Sequence, residues 1–157
     1  MMQLRSILAR LAGDSAGAMV IETAIVAPVL VLMSLGSYQV SGIVARQTEL
    51  ESAAAEGSAI ALASAPNTPA KRTTLQNVMM ASTKLSASKV TVTEVYRCNS
   101  ALTYVTNSAT CTTGVFSRYV KIYITDTYTP AWTSFGVGSP ITYRVTRYVM
   151  YQQNVVS

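Results

Sequence analysis

The chain has 157 residues, which is enough for one modest domain and an anchor. Apolar residues make up 50% of the sequence and charged residues only 12%, about half the charged share of an ordinary soluble domain. This shortage of charge indicates a membrane segment. The formal net charge is +5, but the twelve basic residues are scattered from Arg5 to Arg147. Since no basic cluster forms, we expect no nucleic-acid partner.

One long stretch, residues 18–45, contains a single charged residue, Glu22. A bilayer core of about 30 Å needs about 20 apolar residues in a helix, and residues 23–44 meet this requirement. Arg5 and Arg10 precede the stretch, so the positive-inside rule predicts a cytoplasmic N-terminus and an extracytoplasmic remainder. We therefore expect a transmembrane helix over residues 18–45.

A cleaved secretory signal is the alternative interpretation of this stretch, with residues 29–35 as its apolar core. Two observations disfavour a signal of this kind. Glu22 lies inside the start of the apolar run, and no Ala-x-Ala-like cleavage site follows the run closely. A retained anchor is therefore the preferred interpretation.

Residues 17–22, Gly-Ala-Met-Val-Ile-Glu, resemble the processing site of type IV prepilins, in which a basic leader ends in glycine and a glutamate follows five residues later. The wider block from Gly17 to Leu32, with Ala-Pro before an apolar run, resembles the TadE-like minor pilins of tight-adherence (Tad) systems. Thr23 stands where that family usually has phenylalanine. The resemblance covers residues 13–63 and includes a polar helix beyond the membrane.

The resemblance implies a prepilin-type leader over residues 1–17, cut between Gly17 and Ala18 by a prepilin peptidase. It further implies a bacterial inner-membrane protein with a periplasmic C-terminal domain. The expected partners are the lipid bilayer, other pilins and the Tad inner-membrane assembly proteins, and the assembled form would belong to a cell-surface pilus. In type IV filaments such a glutamate is thought to pair with the new N-terminus of a neighbouring subunit, so Glu22 is the expected pairing residue.

The chemistry of Glu22 supports that role on separate grounds. A carboxylate in an otherwise apolar helix is costly unless it meets a positive partner. Cleavage after Gly17 would create an ammonium group on Ala18, and five residues span about one and a half helical turns. The alternative is that Glu22 only extends toward the cytoplasmic headgroups.

Pro28 lies near the middle of the predicted anchor. A proline inside a helix removes one backbone hydrogen bond, which predicts a kink at this position. The alternative is simple tolerance, since membrane helices contain proline more often than soluble helices do.

Two helices are predicted after the anchor. Alanine-rich residues 46–64 favour a helix continuous with the anchor, and Ile43, Leu50 and Gly57 repeat at seven residues, which predicts a packing seam. A proline-containing break follows, and a second helix is predicted over residues 69–86. Its residues at helical spacing are expected to form ordinary core: Leu75, Val78, Met79, Ser82 and Leu85.

Beyond Ser88 the apolar residues alternate, which predicts strands within residues 89–157. We expect an antiparallel sheet of three or four strands that leans on the helices, and therefore an α+β fold. Most of the nine tyrosines fall in these strands. An exposed tyrosine face could serve adhesion, although β-propensity is the simpler explanation for their number.

Cys98 and Cys111 bracket a polar stretch between the first two predicted strands. Outside the cytoplasm two such cysteines are expected to form a disulfide, which would stabilise the fold by about 3 kcal/mol. A metal site is disfavoured because the chain lacks histidine and has no second cysteine pair. We expect neither a metal nor a cofactor.

No enzymatic activity is expected. The chain has no histidine to act as a base, and beyond Glu56 it has only two acids, Glu94 and Asp126, whose separate strands could bring them together. Neither a nucleophile elbow nor a phosphate-binding loop is present.

The leading hypothesis is a minor pilin (pseudopilin) that acts in the assembly or initiation of Tad pili and has no small-molecule substrate. The alternatives are a membrane-anchored binding or adhesin protein outside any filament, and a type II secretion pseudopilin, which the Ala-Pro block disfavours.

Overall fold

The computed structural model describes residues 15–136 and 138–156. Residues 1–14 of the predicted leader lie outside the described residues. Contacts divide the chain into two compact units, one that ends at Gly42 and one that begins at Ile43. The described side chains of the first unit are mostly apolar and exposed, whereas the second unit has a buried hydrophobic core.

The first helix, α1, runs from Ser15 to Ser64. In the part that belongs to the first unit, up to Gly42, exposed apolar side chains lie on all sides of the helix. The segment from Met19 onward is long and apolar enough to cross a membrane, with a mean hydropathy of 2.1 in its most apolar window. The hydroxyl of Thr23 donates to the Met19 carbonyl at 2.8 Å, and two serines further along do the same to carbonyls four residues back. These polar groups are therefore satisfied without water, as a bilayer requires. The predicted apolar helix is confirmed.

A second helix, α2, runs from Pro69 to Thr83 in the second unit. Its N-terminus is capped by Thr68, whose side-chain oxygen accepts from the backbone N–H of Lys71 at 3.3 Å, and the proline occupies the first turn, where no N–H is needed. Lys84 takes a left-handed conformation with φ of 57° and ends the helix. The helix therefore stops three residues before its predicted end.

Three antiparallel strands complete the fold: β1 (Val90–Cys98), β2 (Gly114–Tyr128) and β3 (Ile141–Val156). The strand order is β1-β2-β3, so β2 lies in the middle and pairs with both of the other strands. Each connection joins neighbouring antiparallel strands, as in a simple meander. Together with the two helices, this sheet confirms the predicted α+β fold with three strands.

The core lies between one face of this sheet and the helices of the second unit. On the sheet side, four side chains at alternate positions are completely buried: Val90, Val120, Ile122 and Ile124. Leu50 of α1 and Met79 of α2 pack into the same cluster. A Cβ on Gly57 would come within 2.7 Å of the Met79 sulfur, so the glycine allows this close contact. The predicted seam of α1 is thus confirmed, and each large aliphatic side chain buried here contributes about 1.5–3 kcal/mol.

The buried face of α2 differs from the predicted stripe. Leu75 and Met79 are buried as expected, but Val78 is 46% exposed and Ser82 is also exposed. Thr83 is fully buried instead, and its hydroxyl donates to the Met79 carbonyl at 2.7 Å. The prediction was wrong for two positions because the contact is centred near Met79, and the preceding residue is turned about 100° away around the helix.

Candidate functional site

The predicted processing site lies in the first turns of α1. Gly17 is exposed, and a Cβ placed on it would meet no heavy atom within 4 Å. Ala18 follows in the same helix. Nothing in the described part of the chain covers Gly17, so a bulky side chain fits at this position. Cleavage after Gly17 stays a prediction.

Glu22 is exposed on α1, one turn beyond the predicted cleavage point. Its carboxylate has no hydrogen bond or ion pair among residues 15–136 and 138–156. The neighbouring Ile21 is 65% exposed, so the carboxylate stands among apolar side chains. In a membrane such a group needs a positive partner from another molecule or from the headgroups. Its pairing with Ala18 of a neighbouring subunit stays a prediction.

Pro28 lies inside α1, and the helix continues through it to Ser64. The proline has no N–H to donate to the carbonyl of Ala24, so one intrahelical hydrogen bond is missing here. The helix therefore tolerates the proline, and the predicted kink stays a prediction.

Cys98 and Cys111 form a disulfide, as predicted, with their Cα atoms 5.2 Å apart. This separation lies within the usual range for disulfides. The enclosed loop is also tied at its middle, because Val105 and Tyr96 exchange two backbone hydrogen bonds of 2.8 Å. The loop is therefore held at both ends and at one inner point, while Leu102 at its tip is 89% exposed.

Arg46 joins α1 to the sheet, a role that its position next to the apolar stretch did not reveal. Its Nε donates to Asp126 of β2 at 2.7 Å, and one terminal nitrogen lies 3.4 Å from the carbonyl of Thr83 at the end of α2. Nearby, the hydroxyl of Tyr143 donates to the Ile43 carbonyl at 3.1 Å. Burial raises the pKa of Tyr143 and so favours this protonated donor. These contacts fix the first residues of the second unit to its sheet.

Glu94 is the centre of a second, largely buried cluster. Its carboxylate accepts from Arg72 at 2.9 Å, from Arg118 at 3.4 Å and from the Tyr151 hydroxyl at 2.5 Å. The Glu94 side chain is only 12% exposed. Because these residues come from α2 and from all three strands, the single carboxylate links four elements of the second unit. This cluster is referred to below as the Glu94 cluster.

The two acids beyond Glu56, Glu94 and Asp126, do not meet. Glu94 lies opposite Val120, and Asp126 is six residues further along β2, about 20 Å away at the rise of an antiparallel strand. Each carboxylate is held by arginine instead. Sequence reasoning missed these partners, although one signal was present: Arg72 is a charged residue on the otherwise buried face of α2, together with Leu75. Among the described residues no group of histidine, cysteine and acidic side chains could hold a metal ion.

Tyr151 is expected to ionise well above the ordinary tyrosine pKa of 10. Burial, together with its hydrogen bond to the Glu94 carboxylate, raises the pKa of Tyr151 to about 12. The folded protein thus retains this proton where the unfolded chain loses it. The contribution of Tyr151 to the free energy of unfolding is therefore complete below pH 10 and is lost as the pH rises through about 12. An alkaline titration followed by phenolate absorbance, with Tyr151→Phe alongside, measures the effect.

The difference between the two titrations isolates the late-ionising group. Subtracting the Tyr151→Phe curve from the wild-type curve should leave one phenol that titrates near pH 12. Glu94→Gln should move that phenol to lower pH, because the anionic acceptor is replaced by a neutral one. A difference curve centred near pH 10 in the wild-type protein would contradict the buried hydrogen bond.

The comparison with protein families gives one match, and it falls on the N-terminal part of the chain. Residues 17–59 match the family model described as TadE-like protein. This confirms the predicted resemblance and indicates a protein associated with Tad pili. The match covers all but the first two and last five residues of α1 and includes Glu22 and Pro28. No curated protein and no solved structure matches the chain.

Proposed function

Starting from the match of residues 17–59 to the TadE-like family, we propose that the chain is a minor pilin, or pseudopilin, of a Tad system. In this proposal it is inserted in the inner membrane, trimmed after Gly17 by a prepilin peptidase, and used to start or cap a thin pilus. Its partners are the peptidase, other pilins and the Tad assembly proteins. The N-terminus is cytoplasmic and residues 46–157 are periplasmic.

One observation carries the proposal: Glu22 lies within the matched apolar helix, five residues after an uncovered glycine, and its carboxylate has no charged partner among the described residues. A charge in this setting destabilises the isolated anchor, so its presence needs a compensating function. An ammonium group created at Ala18 of another subunit would supply the opposite charge at the same depth in the membrane. This explanation accounts for Gly17 and Glu22 together.

The proposed role is structural rather than catalytic. The acids beyond Glu56 that could act as a general base, Glu94 and Asp126, are each engaged by arginine in ion pairs of 2.7–2.9 Å. Both acids therefore have a sufficient function in holding the outer domain together.

The proposal predicts that the mature protein begins at Ala18. N-terminal sequencing of protein from membranes of cells with an active prepilin peptidase should show loss of residues 1–17. Gly17→Trp should block cleavage, because a large indole replaces the residue at the cut. The matched control is Gly36→Trp, since Gly36 lies in the same helix and is equally uncovered, and this variant should still be trimmed.

Retention of residues 1–17 in the wild-type protein would remove the pilin proposal. Equal trimming of Gly17→Trp and Gly36→Trp would show that any cleavage occurs elsewhere. The second candidate, a membrane-anchored binding protein outside filaments, is favoured by the open sheet face described below. The two candidates differ in one further respect, since only a pilin should be recovered with pili that are sheared from cells.

A further inference from the structure

The face of the sheet turned away from the core is open and rich in tyrosine. Because Val120, Ile122 and Ile124 point into the core, the alternate residues of β2 and the residues opposite them lie on the other face. Tyr148 on that face is 41% exposed and Met150 is 47% exposed. Six side chains on this side are referred to as the tyrosine face: Tyr104, Tyr119, Lys121, Tyr123, Arg144 and Tyr148.

The rings of the tyrosine face hold one another in place. Tyr104 comes from the disulfide-closed loop and stacks on Tyr148 with ring centroids 4.2 Å apart and an interplanar angle of 7°. Its edge meets Tyr119 at 5.1 Å. The Lys121 ammonium lies 5.8 Å from the ring centroid of Tyr123 and 5.9 Å from that of Tyr148. The result is a preorganised aromatic surface with a cation in the middle.

The charged side chains of the tyrosine face are all positive. Lys121 and Arg144 lie on it, and no described ion pair includes either of them. Both acids of the sheet, Glu94 and Asp126, point to the opposite face. A surface with cations and no carboxylate is complementary to an anionic partner.

We propose that the tyrosine face binds an acidic polysaccharide, with uronate carboxylates on Lys121 and Arg144 and sugar rings against the tyrosines. The hydroxyls of its four tyrosines form no hydrogen bond to another described residue, so they are available to sugar hydroxyls. A nucleic acid fits less well, because two cations neutralise few of the closely spaced phosphates that drive such binding. The inference depends on the sheet alone and holds whether or not the chain enters a filament.

The test uses the full-length protein in detergent with immobilised polygalacturonate as the polyuronate probe. We expect binding that weakens as the salt concentration rises, because the contacts are exposed ion pairs. The double variant Lys121→Gln/Arg144→Gln should lower the affinity by about tenfold or more. The matched control is Arg147→Gln, since Arg147 is an exposed arginine on the same strand but on the opposite face, and this variant should bind like wild type.

Several outcomes would overturn the proposal. Neutral dextran is the reference for sugar binding without charge, and equal affinity for dextran and polygalacturonate would exclude charge recognition. The single variant Arg144→Gln removes the same charge as Arg147→Gln, so equal losses of affinity in these two variants would show attraction by net charge alone. Tighter binding of double-stranded DNA through the same two cations would replace the polysaccharide by a nucleic acid. The folding control is the thermal unfolding midpoint, which should be equal in all variants, so that a loss of binding is not a loss of fold.

Discussion

Cells that carry Glu22→Gln are expected to lose Tad pili while the variant protein still inserts into the membrane and is still trimmed. The amide keeps the size of the side chain but removes its charge. Insertion should be unaffected or improved, because a carboxylate has left the apolar run. Assembly should fail, because the Ala18 ammonium of a neighbour loses its counter-charge in a low-dielectric setting, where an unpaired charge costs several kcal/mol. Pilus counts by electron microscopy, with immunoblots of sheared fractions, measure the result.

The control for this prediction is a second acid on the same helix. Glu51 is exposed, lies beyond the apolar run and accepts a hydrogen bond only from Gln47, at 2.5 Å, among the described residues. Glu51→Gln should therefore leave piliation unchanged. Glu22→Asp keeps the charge on a shorter side chain and should retain part of the pilus count. Normal piliation of Glu22→Gln at a normal protein level would exclude the pairing mechanism and favour an interaction with headgroups.

Local signals in the sequence were sufficient to predict the elements of the fold. The apolar run predicted the first part of α1, and the proline-containing break before residue 69 predicted the start of α2. The end of α2 was not predictable in the same way. Lys84 adopts the left-handed conformation that glycine normally provides, so no residue in the sequence marked the stop.

The disulfide and the two charge clusters differ in how far the sequence revealed them. Cys98 and Cys111 could be paired because the chain contains only two cysteines, which leaves one connectivity. The partners of Glu94 could not be predicted, because they lie between 22 and 57 residues away in the chain and meet only when the helix packs on the sheet. Contacts of this kind depend on the strand register, which periodicity alone does not give.

The tyrosine-rich strands show the same limit for function. Periodicity placed most tyrosines in strands, and β-propensity was a sufficient explanation for their number. The structure adds that Tyr104 comes from the loop between β1 and β2 rather than from a strand, and that it stacks on Tyr148. A loop residue drawn onto a sheet face by aromatic contact is a tertiary feature, and the sequence around it contains no pattern that predicts it.

Glu94→Leu is expected to cause a large loss of stability in the second unit. Leucine suits a strand and preserves the side-chain volume, but it leaves Arg72 and Arg118 without their counter-charge and Tyr151 without its acceptor. Removing one partner from a buried ion pair costs about 3–5 kcal/mol, and the partial exposure of these arginines places the expected loss near the lower figure, about 3 kcal/mol. The thermal midpoint should fall by roughly 10 °C for a domain of this size.

Two further variants separate the loss of charge from the change of shape. Glu51→Leu also replaces a glutamate by leucine, but at an exposed helix position, and should change the free energy of unfolding by less than about 0.5 kcal/mol. The double variant Arg72→Met/Glu94→Leu should recover part of the stability. In the single variant Glu94→Leu the Arg72 guanidinium is left largely buried without a counter-charge, and Arg72→Met removes that charge. The measurement is denaturant unfolding of the detergent-solubilised chain followed by circular dichroism. An equal loss in the free energy of unfolding for Glu94→Leu and Glu51→Leu would contradict the prediction. It would show that the Glu94 cluster does not hold the four elements together, because removing a buried, paired carboxylate should destabilise the protein more than removing an exposed one.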